Sequence, residues 1–98
     1  MILVRDIFQL KFGKAREALT IWKEGTKILK KADVNVSRVL TDLTGQYYTL
    51  IMESTYDSLS AFESAMKTEV SSDEWKALYQ KFVPLVDSGR REIFTVVE

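Results

Sequence analysis

The sequence predicts a single α+β domain in which one four-stranded antiparallel sheet carries helices on one face. Apolar residues recur with a period of two in four segments and with helical spacing between them. Taken in chain order, these patterns give β-α-β-β-α(α)-β, with no repeat and no low-complexity segment. Nothing in the 98 residues has the composition of a linker between two cores, so one domain over residues 1–98 is expected.

The first two elements are separated by a glycine. Residues 2–12 alternate in the manner of a strand, and Gly13 ends that pattern. Helical spacing then extends over residues 14–31, with lysines in the last turns, where cations favour the negative end of the helix dipole. Gly25 falls on the apolar side of this helix, which predicts a close approach to the sheet.

The middle of the chain predicts a β-hairpin followed by a helix. Residues 34–43 and 46–55 are rich in β-branched and aromatic side chains, and Thr44-Gly45 between them is a short turn signal. Asp57 is in a position to cap the helix that follows.

A second short helix and a final strand complete the predicted order. Ser71 and Glu74 have the spacing of a capping box, and Pro84 predicts the end of that helix. A turn is predicted at residues 87–89, and a fourth strand at residues 90–98. The βαββαβ order is the split βαβ arrangement of ferredoxin-like domains.

The sheet face without helices has too many apolar residues for a surface exposed to water. An antiparallel sheet covered on one side should be polar on the other. Leu3, Ile7, Tyr47 and Ile51 nevertheless fall in the uncovered register. The simplest cover is the same face of a second copy, which predicts a homodimer.

Composition excludes several functional classes. The 14 basic and 14 acidic residues balance, which disfavours nucleic acid and membrane surfaces as partners. The chain has no cysteine and no histidine. Disulfides, thiolate or imidazole metal sites and histidine-ligated haem are therefore excluded, and no metal or cofactor is expected. The apolar run at the amino terminus is too short for a signal peptide, so a cytoplasmic protein is predicted.

Five residues of one strand register form the predicted ligand site: Arg5, Gln9, Tyr47, Thr49 and Glu53. The Arg5 guanidinium is suited to hold a carboxylate or enolate, and Glu53 is a candidate catalytic base, with a tyrosine as the alternative group that moves the proton. The alternative is that Arg5 and Glu53 simply pair with each other as a structural ion pair at an interface.

Two further features need an explanation. Asp6 interrupts the helix-facing register of the first strand, and a buried carboxylate requires a partner, which Arg38 or Arg91 can supply. Trp22 and Trp75 lie on apolar helix stripes. They either belong to the core or stack on an aromatic ligand.

The chain resembles the dimeric α+β barrel proteins, and within them the NIPSNAP-like group. The similarity lies in residues 8–14 and in residues 75–97, above all 82–86 and 89–93. The resemblance implies a homodimer whose sheets enclose a barrel, with a cavity that relatives use for small molecules and no general catalytic residue.

The expected function is binding of a small organic molecule in the cavity between sheet and helices. One alternative is a cofactor-independent monooxygenase or isomerase acting on an enolisable or aromatic substrate. The other is a structural or interaction module with no ligand.

Overall fold

The computed structural model, which describes residues 1–70 and 72–98, confirms the ferredoxin-like βαββαβ fold. The strands form one sheet in the order β2-β3-β1-β4, and every neighbouring pair is antiparallel. The elements are β1 (Ile2–Leu10), α1 (Ala15–Lys31), β2 (Asn35–Thr41), β3 (Thr49–Tyr56), α2 (Leu59–Val70), α3 (Asp73–Phe82), a short 3-10 helix (Val83–Leu85) and β4 (Val86–Thr95).

Strand β1 is central, and its alternation fixes the two faces of the sheet. Val4 and Leu10 are buried on the face that carries the helices. The strand ends at Leu10, two residues earlier than predicted. The Lys11 N–H donates to the Leu85 carbonyl at 2.8 Å, and Gly13 turns the chain with a φ of 80°. Glycine adopts that conformation readily and other residues do not, so Gly13 allows the chain to turn away from the sheet here.

The core is built around three aromatic rings between the sheet and the helices. Phe8 of β1 lies 5.3 Å from Trp22 of α1 and 5.0 Å from Phe82 of α3, measured between ring centroids, and both contacts are edge-on. Such geometry is the favoured one for aromatic pairs. Trp22 and Phe82 are buried, which confirms a core position for Trp22. Trp75 is half-buried beside it, with a centroid distance of 6.0 Å.

The predicted two-residue turn of the hairpin is wrong, because the loop spans residues 42–48. Gly45 and Tyr48 have φ angles of 104° and 59°, which extended strands do not adopt. Asp42 closes the loop by accepting the Thr49 N–H at 2.9 Å. Strand β3 therefore begins at Thr49, and Tyr47 lies in the loop instead of on a strand.

The turn predicted at residues 87–89 is also wrong, since these residues belong to β4. Gly89 is paired with Phe8 across the strands. A Cβ atom on Gly89 would lie 3.2 Å from Phe8 Cδ1 and 3.5 Å from the Ile7 carbonyl oxygen. The absence of a side chain at Gly89 thus leaves room for the Phe8 ring. Such close packing is one of the reasons why glycine occurs within strands.

Serine side chains cap the two short helices. Ser58 accepts the Ala61 N–H at 3.1 Å, so the cap of α2 is not the predicted Asp57. Ser72 accepts the Trp75 N–H at 3.1 Å at the start of α3. The predicted capping serine, Ser71, lies outside the described residues. Within the described ranges, none of the helices is long and apolar enough to cross a membrane.

Gly25 marks a contact between helices and not the predicted contact with the sheet. A Cβ atom there would lie 3.1 Å from Leu78 Cδ2 and 3.5 Å from the Trp75 ring. Both residues belong to α3. The missing side chain therefore allows α3 to pack closely on α1.

We expect Phe82→Ala to lower the free energy of unfolding by about 3–5 kcal/mol, because Phe82 is fully buried against Phe8 and Trp22. Leu43→Ala is the control, since Leu43 is 97% exposed in the hairpin loop. Urea unfolding followed by tryptophan fluorescence measures both. Equal stabilities would show that the aromatic cluster does not hold the sheet to the helices.

Candidate functional site

Four of the five predicted site residues lie together on the face of the sheet turned away from the helices, called the open face below. Arg5 is paired with Glu53 across β1 and β3, and Gln9 with Thr49. The period-two alternation of the strands was enough to predict this grouping.

Glu53 is the centre of an ion-pair network. The residue is only 4% exposed, and Arg38 Nε donates to its Oε1 atom at 2.7 Å. Its other oxygen, Oε2, lies 3.1 Å from Arg5 Nε, although that N–H is not aimed at it and has no hydrogen-bond acceptor within the described residues. Arg5 Nη1 also reaches Glu92 Oε1 at 3.4 Å. Each carboxylate oxygen of Glu53 thus faces a cation, an arrangement typical of a structural network.

Gln9 and Thr49 hold the end of the hairpin loop. Gln9 Nε2 donates to the Tyr47 carbonyl at 2.5 Å. The Thr49 hydroxyl donates to the Gln46 carbonyl at 2.9 Å and lies 3.4 Å from Gln9 Oε1. The Tyr47 side chain is 71% exposed, and its ring lies against that of Phe12, 6.1 Å away. Tyr47 therefore contributes its backbone to this group, whereas its ring lies outside it.

A groove of about 540 Å³ runs over the open face. Its walls come from β1, β3, β4 and the hairpin loop, and they include Arg5, Gln9 and Thr49. A molecule in the groove would lose more of its hydration if a second surface covered this face.

The larger cavity, about 840 Å³, lies on the other side of the sheet, between β1, β4 and helices α2 and α3; it is called the helix-side cavity below. None of the five predicted site residues lines it. Its apolar and aromatic walls include Phe8, Val86, Tyr56, Phe62, Met66, Trp75 and Tyr79. A volume and lining of this kind suit a small organic molecule.

An ion pair stands in the wall of the helix-side cavity. Arg91 Nε donates to Asp6 Oδ1 at 2.6 Å, which confirms one of the two predicted partners of Asp6. The Arg91 guanidinium also lies over the Phe62 ring, 5.2 Å from its centroid. Asp6 and Arg91 are paired across β1 and β4, so the strand register sets this contact.

Sequence reasoning found Asp6 and Arg91 but assigned them no ligand. The aromatic residues on α2 and α3 have the spacing of core residues, and a cavity wall has that same spacing. Only the distance between two packed layers separates a filled core from a cavity, and no residue pattern reports that distance. In the described part of the chain, no three acidic, histidine or cysteine residues are grouped as a metal site would require.

The family of the chain follows from its match to a family model. The model for NIPSNAP proteins matches residues 5–98, nearly the whole chain. The chain belongs to the NIPSNAP family. No protein with a curated description matches the sequence.

Solved structures of other NIPSNAP proteins have the same fold. An uncharacterised NIPSNAP domain protein from Burkholderia xenovorans is 18% identical, with 99% of this chain and 95% of that chain covered and a TM-score of 0.93. A NIPSNAP family protein from Agrobacterium tumefaciens is 21% identical, with 96% and 90% covered and a TM-score of 0.91.

The fold extends beyond the family. SnoaB, a cofactor-independent oxygenase from Streptomyces nogalater, is similar with a TM-score of 0.73 over 99% of this chain and 93% of that chain. Its sequence identity is 11%. At such identities the similarity establishes the fold, and function has to be argued from the site.

We expect Glu53→Gln to lower the free energy of unfolding by about 1–3 kcal/mol, because it removes the charge that faces two arginines at a buried position. Glu92→Gln is the control, since Glu92 is more exposed and has a longer contact with Arg5. Urea unfolding at several protein concentrations separates this effect from self-association. A smaller loss for Glu53→Gln than for Glu92→Gln would contradict the central position of Glu53.

Proposed function

We propose that this NIPSNAP protein binds a small organic molecule in the helix-side cavity and works as a homodimer formed through the open face. The observation that carries the binding proposal is the cavity itself, about 840 Å³ between the sheet and the helices. The cavity opens to solvent, and most of its lining is apolar. An apolar cavity of this size in a small domain is therefore best explained by a ligand.

The lining indicates the kind of molecule. Aromatic rings from the sheet, α2 and α3 surround the space, so flat or elongated apolar bodies can stack on them. The polar groups come from two places: Lys76 and Gln80 lie on α3, and the others lie on or beside β4, where Asp6 and Arg91 are paired. Such a site orients one end of a ligand and buries the rest.

The homodimer is supported by the apolar content of the open face. Strand pairing places five large apolar side chains on it: Leu3, Ile7, Leu40, Ile51 and Phe94. Phe94 is exposed within the single chain. Ile7 is already buried in the single chain. A second sheet packed on this face would cover the other four side chains and the groove that holds Arg5 and Gln9. Ligand binding by Arg5, Gln9, Thr49 and Glu53 stays a prediction, and it depends on whether this dimer encloses the groove.

A cofactor-independent oxygenase or isomerase is the alternative, supported by the fold shared with SnoaB. Its predicted base, Glu53, has an arginine at each oxygen and lies on the sheet face opposite the helix-side cavity. A general base must reach the proton that it removes. The geometry therefore favours binding over catalysis by Glu53, and a module with no ligand would leave the cavity unexplained.

Met66→Trp tests the cavity, because it adds a large ring to the wall that α2 contributes. We expect the purified protein to bind 2-naphthylmethanol, a neutral aromatic probe, and Met66→Trp to weaken that binding by about tenfold or more through steric exclusion. Isothermal titration calorimetry measures the affinity.

Ser64→Trp is the matched control, since it adds the same ring on an exposed position of the same helix. Its affinity should equal that of the unchanged protein. If the probe binds equally well to both variants, the binding site is elsewhere. If the unchanged protein binds no probe of this kind, the binding proposal fails.

Ile51→Lys tests the dimer, because it places a charge in the middle of the open face beside Ile7 and Leu40. We expect a mass of about two chains for the unchanged protein in light scattering, and a dissociation constant raised by at least about tenfold in the variant. Leu59→Lys is the control, since Leu59 is an exposed apolar residue in the helix layer. A monomeric unchanged protein, or a variant that dimerises as before, would reject the open face as the interface.

A further inference from the structure

Arg91 differs from the other arginines that pair with acids, because an acid and an aromatic ring together hold its guanidinium in a cavity wall. Asp6 accepts its Nε–H at 2.6 Å, and the Phe62 ring lies beneath the guanidinium at 5.2 Å. All three residues line the helix-side cavity. The side chain is thus fixed before any ligand arrives, which reduces the entropy lost on binding.

The Nη atoms of the Arg91 guanidinium carry N–H donors that make no hydrogen bond to the described residues. An arginine has five N–H donors, and Asp6 takes the one on Nε. No hydrogen bond from either Nη atom is present within residues 1–70 and 72–98. The Arg91 side chain is 42% exposed, whereas that of Asp6 is 13% exposed. The donors that remain are therefore accessible, while the carboxylate that positions them is mostly covered.

The pairing across the strands explains why the free donors are at the cavity. Asp6 sits on β1 beside Phe8, which forms part of the cavity wall, and Arg91 sits on β4 directly opposite Asp6. Phe62 comes from α2 above them. A ligand that fills the space between these elements would bring its end to the guanidinium.

We propose that Arg91 binds the carboxylate group of an apolar organic acid whose ring or chain lies in the helix-side cavity, with Asp6 and Phe62 positioning the guanidinium. The inference rests on the proposed binding function and names its ligand class. Carboxylates are the groups that a guanidinium fork binds by two parallel hydrogen bonds, and an arginine stacked on an aromatic ring is suited to this task where a lysine is not.

The charge of the site agrees with a single acidic group. Asp6 cancels one charge of the pair. Lys76 and Arg90 add two cations to the lining and Asp87 adds one acidic group, so the lining keeps one positive charge that a single carboxylate would balance. An apolar molecule with one carboxylate matches both the lining and the charge.

Two probes with the same aromatic body test the inference: 2-naphthoate, which carries a carboxylate, and 2-naphthylmethanol, which does not. We expect the unchanged protein to bind 2-naphthoate at least about tenfold more tightly, in line with a charge-assisted hydrogen-bonded pair. In Arg91→Gln, the two affinities should come to within about twofold of each other. The affinity for 2-naphthylmethanol should not change, which also shows that the cavity is intact.

Arg90→Gln is the matched control. Arg90 is the preceding residue on β4 and also borders the cavity, but its side chain pairs with Glu92 on the open face at 3.6 Å. This variant should keep the full preference for 2-naphthoate. If Arg91→Gln does not fold, Arg91→Lys keeps the charge but loses the planar fork, and we expect it to lose most of the preference.

The outcomes separate the inference from the proposed function. If neither probe binds, or if Met66→Trp leaves both affinities unchanged, binding in the helix-side cavity fails. If both probes bind there equally well, or if Arg91→Gln or Arg91→Lys keeps the full preference for 2-naphthoate, the cavity binds ligands but Arg91 is not its carboxylate receptor. An equal loss of preference in Arg90→Gln would point to general electrostatics and would overturn the inference.

Discussion

The packing of Phe8 against Trp22 and Phe82 joins the sheet to the helices, and the rest of the structure depends on it. The three rings come from β1, α1 and α3, with centroid distances of 4.7 to 5.3 Å. Gly89 on β4 leaves the room that the Phe8 ring needs. Because the cluster anchors the helices at one point of the sheet, the space beside it toward β4 stays open as the helix-side cavity.

One strand supplies both candidate sites through its alternation. Asp6 of β1 points to the helix side and is paired with Arg91, whereas Arg5 points to the open face and meets Glu53. The two ion pairs differ in what remains available. Glu53 has a cation at each oxygen, so that network is closed, while Arg91 keeps free donors at a cavity wall. A pair of an arginine with an acid thus suits a dimer interface on the open face and a ligand on the helix side.

Errors in the sequence predictions fall where glycine and loop residues have more than one explanation. The residues around Gly89 predict a turn, yet Gly89 permits a close approach within a strand. Thr44-Gly45 predicts a two-residue turn, yet Tyr48 also leaves the extended conformation. The position of Gly25 predicts contact with the sheet, yet Gly25 faces Leu78 of α3. In each case the residue type indicates a special backbone conformation or a close contact. The residues packed against it decide which of the two is present.

The sequence by itself determined the order of the elements, the ferredoxin-like fold, the family and the grouping of Arg5, Gln9, Thr49 and Glu53 on one face. The order, the fold and the grouping follow from periodicity and residue type, which are local properties, whereas the family follows from the resemblance of residues 8–14 and 75–97 to NIPSNAP proteins. Only the tertiary structure decided that the larger cavity lies on the other side of the sheet and that Arg91 is held within its wall. A cavity is set by the separation of packed layers, and core residues and cavity walls share the same apolar spacing.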